Sequence, residues 1–172
     1  QKVINLLKNS NTYQPVAMVR NPGQKTQFES EGIKTVEGDL AKDVSHTTEG
    51  IDKVIFAAGS KGKDLHNVDQ EGAKRLIDAA KKHRVQKFVM LSAMGVQHPE
   101  QHPELKDYLQ AKQNADQYLD ISGLTFSIVR PGALTDDEGI GRGKLQEQLN
   151  EQGQIPRWDV AHTLVQSLQT DA

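Results

Sequence analysis

Short apolar runs, separated by longer stretches of mixed polarity, give this chain its outline. Val16–Val19, Val54–Ala58, Phe88–Leu91 and Phe126–Val129 are apolar at almost every position, and Thr35–Val36 is a weaker run of the same kind. Strands buried on both faces have this character, which belongs to parallel sheets covered by helices. Between the runs the period changes. Asp64–His83 places Leu65, Val68, Gly72, Leu76 and Ala79 or Ala80 on one helical face, and Leu105–Ile121 predicts a second helix stopping at Ser122-Gly123. Trp158–Leu168 lines up Val160, Ala161, Leu164, Val165 and Leu168. The chain opens on a helical pattern, Val3, Ile4, Leu6 and Leu7, before the turn-like Asn9-Ser10-Asn11. Strands alternating with helices predict right-handed βαβ units and a doubly wound parallel sheet, an α/β Rossmann-like fold.

No repeat, low-complexity tract or linker interrupts the 172 residues, so residues 1–172 read as one domain. In the doubly wound order the first strand is central, and the turn after it carries the glycines that cradle pyrophosphate. No G-x-G-x-x-G precedes the opening helix. The expectation is a strand and a glycine turn upstream of Gln1, within roughly 10–20 residues, and a domain incomplete at both ends. Thr135–Gly143, with three glycines and three acids, reads as a mobile loop.

Charge and composition exclude several classes. The chain carries 21 basic against 23 acidic residues, and no cluster is dense enough to bind nucleic acid. No apolar run approaches the roughly 18 residues needed to cross a bilayer, so no membrane partner is expected. Cysteine is absent, which removes disulfide and thiolate chemistry and is compatible with the cytoplasm. His98 and His102 have helix-like ligand spacing, but Pro99 and Pro103 argue for a loop and no third ligand is evident, so no metal site is expected.

The candidate chemistry is a serine, a tyrosine and a lysine. Tyr108 and Lys112 in YLQAK are one helical turn apart and project from one face. An ammonium beside a phenol favours phenolate, so Lys112 is expected to lower the Tyr108 pKa. Ser92, in KFVMLSAMG at the end of the preceding strand, would hold a substrate carbonyl against the phenol.

VAMVRNP, VEGDL, VIFAAG, KFVMLSAMG, YLQAK and SGLTFSIVRPGAL, in that order, resemble the atypical short-chain dehydrogenase/reductases. These are small NAD(P)-binding proteins related to epimerases and to NmrA-like proteins. The resemblance implies that Arg20 and Asn21, after the second strand of such a fold, bind the 2′-phosphate of NADP, with NAD possible; a surface arginine is the alternative. It implies an adenine contact for Asp39 and Leu40, which otherwise read as a simple turn or a cap. Ala57, Ala58 and Gly59 would let cofactor approach a strand end, and Pro131 and Gly132 would line the nicotinamide. Lys112 would bind the nicotinamide ribose as well as act on Tyr108.

The resulting expectation is a cytoplasmic NADP-dependent oxidoreductase acting on a small carbonyl or quinone-like substrate. Tyr108 would be its acid/base, Lys112 its electrostatic partner and Ser92 its carbonyl-orienting hydroxyl. A non-catalytic NADP(H) sensor and an NAD(P)-dependent epimerase remain as alternatives.

Overall fold

In chain order the elements are α1 (Lys2–Lys8), β1 (Val16–Val19), α2 (Pro22–Ser30), β2 (Lys34–Glu37), β3 (Lys53–Phe56), α3 (Glu71–Lys82), β4 (Lys87–Leu91), α4 (Lys106–Asp120), β5 (Phe126–Val129), β6 (Ala133–Thr135), β7 (Gln154–Pro156) and α5 (Arg157–Gln166). They come from a computed structural model describing residues 1–146 and 153–170. Among the described residues all pairing is parallel, in ladders β1-β2, β3-β4-β5 and β6-β7. Among the described residues no ladder joins β1 to β3.

The two faces of β4 show why the runs are apolar throughout. Phe88 and Met90 pack with Ala73, Leu76, Ile77 and Ala80 of α3 and with Ala115 and Leu119 of α4. Val89, between them, points the other way, into Leu7 of α1 and Val160 and Leu164 of α5. The period of two thus feeds helices on both faces, the doubly wound arrangement. Phe88, Val89 and Met90 are fully buried, and each such side chain contributes about 1.5–3 kcal/mol on leaving water. Phe88→Ala should cost this core about 3–5 kcal/mol.

Local chemistry sets the ends of the elements. Asn21 Oδ1 accepts from the Gln24 amide at 3.0 Å, and Pro22 follows at the first helical position, so α2 starts there. After α4, Gly123 takes φ +79°, a left-handed stop that a side chain would strain.

Several expectations are revised. The helix read over 64–83 divides into a π-helical stretch, Leu65–Gln70, and α3. β3 ends at Phe56, leaving Ala57 and Ala58 exposed beyond it. Within 135–143, Thr135 belongs to β6, and the Ile140 and Gly141 amides donate to the Asp159 carboxylate at 3.0 and 2.9 Å. Arg157 adds a bond to Asp136 at 3.0 Å. Among the described residues no helix is long and apolar enough to cross a membrane.

Candidate functional site

In parallel sheets the carboxyl ends of the strands form one rim, where ligands of this fold class bind. The turn after β3, residues 57–59, and Ser92 after β4 lie on that rim, as do Arg20 after β1 and Pro131 after β5. α4 brings Tyr108 and Lys112 to the same place. Lys112 is buried, and its Nζ donates to the carbonyl of Leu91, the last residue of β4, at 3.4 Å. That ammonium lies 6.0 Å from the centre of the Tyr108 ring and 5.9 Å from that of Phe56. Spacing alone brought the pair together; burial gives it its electrostatics.

Those electrostatics correct one expectation. Burial raises the Tyr108 pKa and the charge of Asp69 raises it further, so the phenol keeps its proton instead of moving towards phenolate. The Lys112 pKa is lowered by burial, against which Asp69 and Asp116 act. Asp69, 4.0 Å from Lys112 Nζ, and Asp116 thus offset part of the cost of burying that ammonium.

Ser92 is buried and donates its hydroxyl proton to Asp116 Oδ2 at 2.9 Å. Arg130, just beyond β5, donates its Nε–H to the same oxygen at 2.9 Å. Burial raises the Asp116 pKa, opposed by these two donors. Asp116 Oδ1 is buried with no hydrogen-bond partner among the described residues. Three residues absent from the sequence reading, Asp69, Asp116 and Arg130, therefore belong to the site. Asp116 was within reach of sequence reasoning, since it lies one helical turn beyond Lys112 on the same face. Asp69 was not, because its contacts are made only by the tertiary fold.

The remaining candidates divide by surroundings. Arg20 is exposed, and its guanidinium has no ion pair or hydrogen bond among the described residues. Asn21 spends its side-chain oxygen on capping α2. Asp39 Oδ1 accepts from the Ala41 amide at 3.0 Å, which makes a turn of it, and Leu40 is buried in the core against α3. A Cβ at Gly59 would stand 2.8 Å from Asp69 Oδ1, so the turn is sized for glycine. A Cβ at Gly132 would collide with the Gly153 carbonyl. Pro131 accepts from the Met94 amide at 2.9 Å, tying the two rim loops together. A free cation at the end of β1, small exposed residues after β3 and a buried ammonium on α4 have the chemistry to hold a phosphorylated dinucleotide.

Tyr108 faces an open cleft of about 510 Å³ lined also by Lys61, Gly62, Leu65, Pro103, Leu105 and two acids, Glu104 and Asp107. The segment 99–105 enters it through two short 3₁₀ turns, Pro99–Gln101 and Pro103–Leu105.

Comparison with known proteins agrees with this geometry. The sequence profile described as NAD(P)H-binding matches residues 1–171. The uncharacterized sugar epimerase YhfK of Bacillus subtilis is 36% identical over 98% of this chain and 82% of its own length. A solved Bacillus halodurans protein, a candidate NAD-dependent epimerase/dehydratase, superposes with a TM-score of 0.88 at 34% identity, covering 99% of this chain and 82% of that one. The crystal structure of the oxidoreductase ylbE from Lactococcus lactis gives 0.84 at 31% identity, covering 99% and 80%. With its parallel, doubly wound architecture and a family match along almost its whole length, the chain belongs to the NAD(P)H-binding family of epimerase-like, atypical short-chain dehydrogenase/reductase proteins.

Proposed function

We propose that this chain is an NADP-dependent oxidoreductase that acts on a small carbonyl or quinone-like substrate in the cleft before Tyr108. The observation carrying this reading is the phenol itself: a half-buried tyrosine that keeps its proton, next to a buried lysine, at the mouth of a cleft walled by Leu65, Pro103 and Leu105. The nicotinamide of the bound cofactor supplies or accepts the hydride. Tyr108 donates its proton to the substrate oxygen as negative charge develops there, and withdraws it in the reverse direction. Lys112 steadies the phenolate left behind and binds the ribose beside it. Arg20, uncommitted at the end of β1, pairs with the 2′-phosphate and so favours NADP. Ala57, Ala58 and Gly59 keep the rim bare enough for the cofactor to lie against it.

The two relatives described as epimerases keep a second reading in view, since removal and return of hydride at one carbon uses the same phenol. The small cleft favours a compact substrate. The deciding experiment is NADPH oxidation by the purified protein, followed at 340 nm with a panel of small quinones and carbonyl compounds. Turnover supports an oxidoreductase. Tight NADPH binding without turnover across the panel supports a sensor.

A further inference from the structure

Asp69 is a carboxylate almost wholly removed from water, at 2% exposure, in the last turn of the π-helical stretch before α3. Its two oxygens do different work. Oδ2 accepts from the Ser60 amide at 3.0 Å and so holds the turn after β3. Oδ1 lies 4.0 Å from Lys112 Nζ and under the bare Cα of Gly59. One side chain thus touches both the turn given to the cofactor and the lysine given to the acid/base pair. The other charged groups around Tyr108 and Lys112 are committed elsewhere or more open. Asp116 is shared by Ser92 and Arg130, while Lys61, Glu104 and Asp107 line the open cleft.

We propose that Asp69 is a positioning residue that couples cofactor seat to proton donor: Oδ2 fixes the 59–60 turn, and Oδ1 is the buried counter-charge that faces the Lys112 ammonium beside Tyr108. The physical reasons are separable. A buried ammonium without a counter-charge loses its proton readily. A buried amide N–H without an acceptor is costly and lets its turn move. Burial acts against the Lys112 charge and Asp69 offsets part of that; burial and Asp69 act together to hold the Tyr108 proton. The inference rests on the oxidoreductase reading for the roles of Tyr108 and the turn, but its test does not depend on turnover.

The test is an ultraviolet titration of the tyrosines in the full chain, with the Tyr108 signal isolated by subtracting the Tyr108→Phe protein. Asp69→Asn removes the charge and keeps an oxygen for the Ser60 amide. Tyr108 should then ionise at a pH lower by about one unit, the order expected for a unit charge lost from a partly buried site. NADPH affinity, measured by calorimetry, should stay within about twofold in Asp69→Asn and fall about tenfold in Asp69→Ala, where the amide also loses its acceptor. A Tyr108 titration unmoved in Asp69→Asn overturns the proposal, and so does equal loss of NADPH in the two variants, which a merely structural residue would give. Should the variants fail to fold, a Tyr108 titration at or below free tyrosine in the native protein refutes the role, since burial and Asp69 both act to raise it. A shifted titration in a protein that oxidises no NADPH would leave Asp69 as proposed and remove the oxidoreductase reading instead.

Discussion

Ser92 gives its hydroxyl proton to Asp116 across 2.9 Å, and the oxygen that receives it also takes the Arg130 Nε–H. A serine so engaged offers a substrate its lone pairs and not its proton. Polarising a carbonyl would require breaking a charge-assisted bond in a buried site. Ser92→Ala should therefore lower turnover by about tenfold, less than loss of the phenol does. It should also destabilise the fold by about 1–3 kcal/mol, because Asp116 loses a donor. Steady-state kinetics and urea denaturation of the one variant check both halves.

Tyr108→Phe keeps the ring and removes the proton. Turnover of NADPH with a carbonyl substrate should fall by roughly 10²–10⁴, with NADPH affinity unchanged. Carbonyl turnover preserved in the variant would sink Tyr108 as proton donor while leaving the protein an oxidoreductase; activity preserved with quinones alone would not, since hydride transfer to a quinone can precede any protonation by the protein.

Arg20 is exposed at the end of β1, with its guanidinium uncommitted among the described residues. Charge-assisted bonds to a phosphate contribute about 1.5–3 kcal/mol, so NADPH should bind about tenfold or more tightly than NADH. Arg20→Ala should erase that preference without altering NADH affinity. Calorimetric titration of both cofactors into both proteins measures it, and equal affinities in the native protein would contradict the assignment.

Asp116 makes stability depend on pH in an unusual direction. Burial holds its pKa above the ordinary carboxylate value, against the pull of Arg130 and Ser92. The folded state therefore binds this proton more tightly than the unfolded chain does. The contribution is complete below about pH 3.9, the unfolded value, and is lost as pH rises through the folded pKa. Asp116→Asn cannot ionise, so its stability should fall less than that of the native protein as pH rises from about 4. Each tenfold difference in proton affinity is worth about 1.4 kcal/mol. Parallel slopes in denaturation curves taken across that window would refute this.

Gly132 is pressed by the Gly153 carbonyl, which also accepts from the Ala133 amide at 3.0 Å. Gly132→Ala forces two backbones apart at the start of the β6-β7 ladder and should cost about 1–3 kcal/mol. Thermal denaturation would show it, whereas Gly143→Ala, with only Ile155 Cδ1 near at 3.9 Å among the described residues, should be tolerated.

What could be read from the sequence follows from burial. β1, β3, β4 and β5 were legible because parallel strands packed on both faces leave continuous apolar runs. α2 was not, since none of its residues is buried and no apolar stripe marks it, although Asn21 followed by Pro22 is a start signal. β6 and β7 are three residues each, too short for any period to register. In the site, the Tyr108–Lys112 spacing survives because one helix carries both. The direction of the Tyr108 pKa did not, because it depends first on burial and then on Asp69, thirty-nine positions away in sequence, and only the fold supplies either.

The π-helical stretch Leu65–Gln70 has a consequence for how this protein can change over generations. Such a stretch is in effect one residue inserted into an α-helix, and removing it turns everything upstream by about 100°. Downstream, Ala73, Leu76, Ile77 and Ala80 are locked into the core. Upstream, Leu65 walls the cleft. A one-residue deletion between them would swing Leu65 away and present a different neighbour to the substrate, while the sheet and α3 kept their register. An insertion or deletion here, elsewhere a lethal lesion in a helix, becomes a way to resculpt what the cleft accepts.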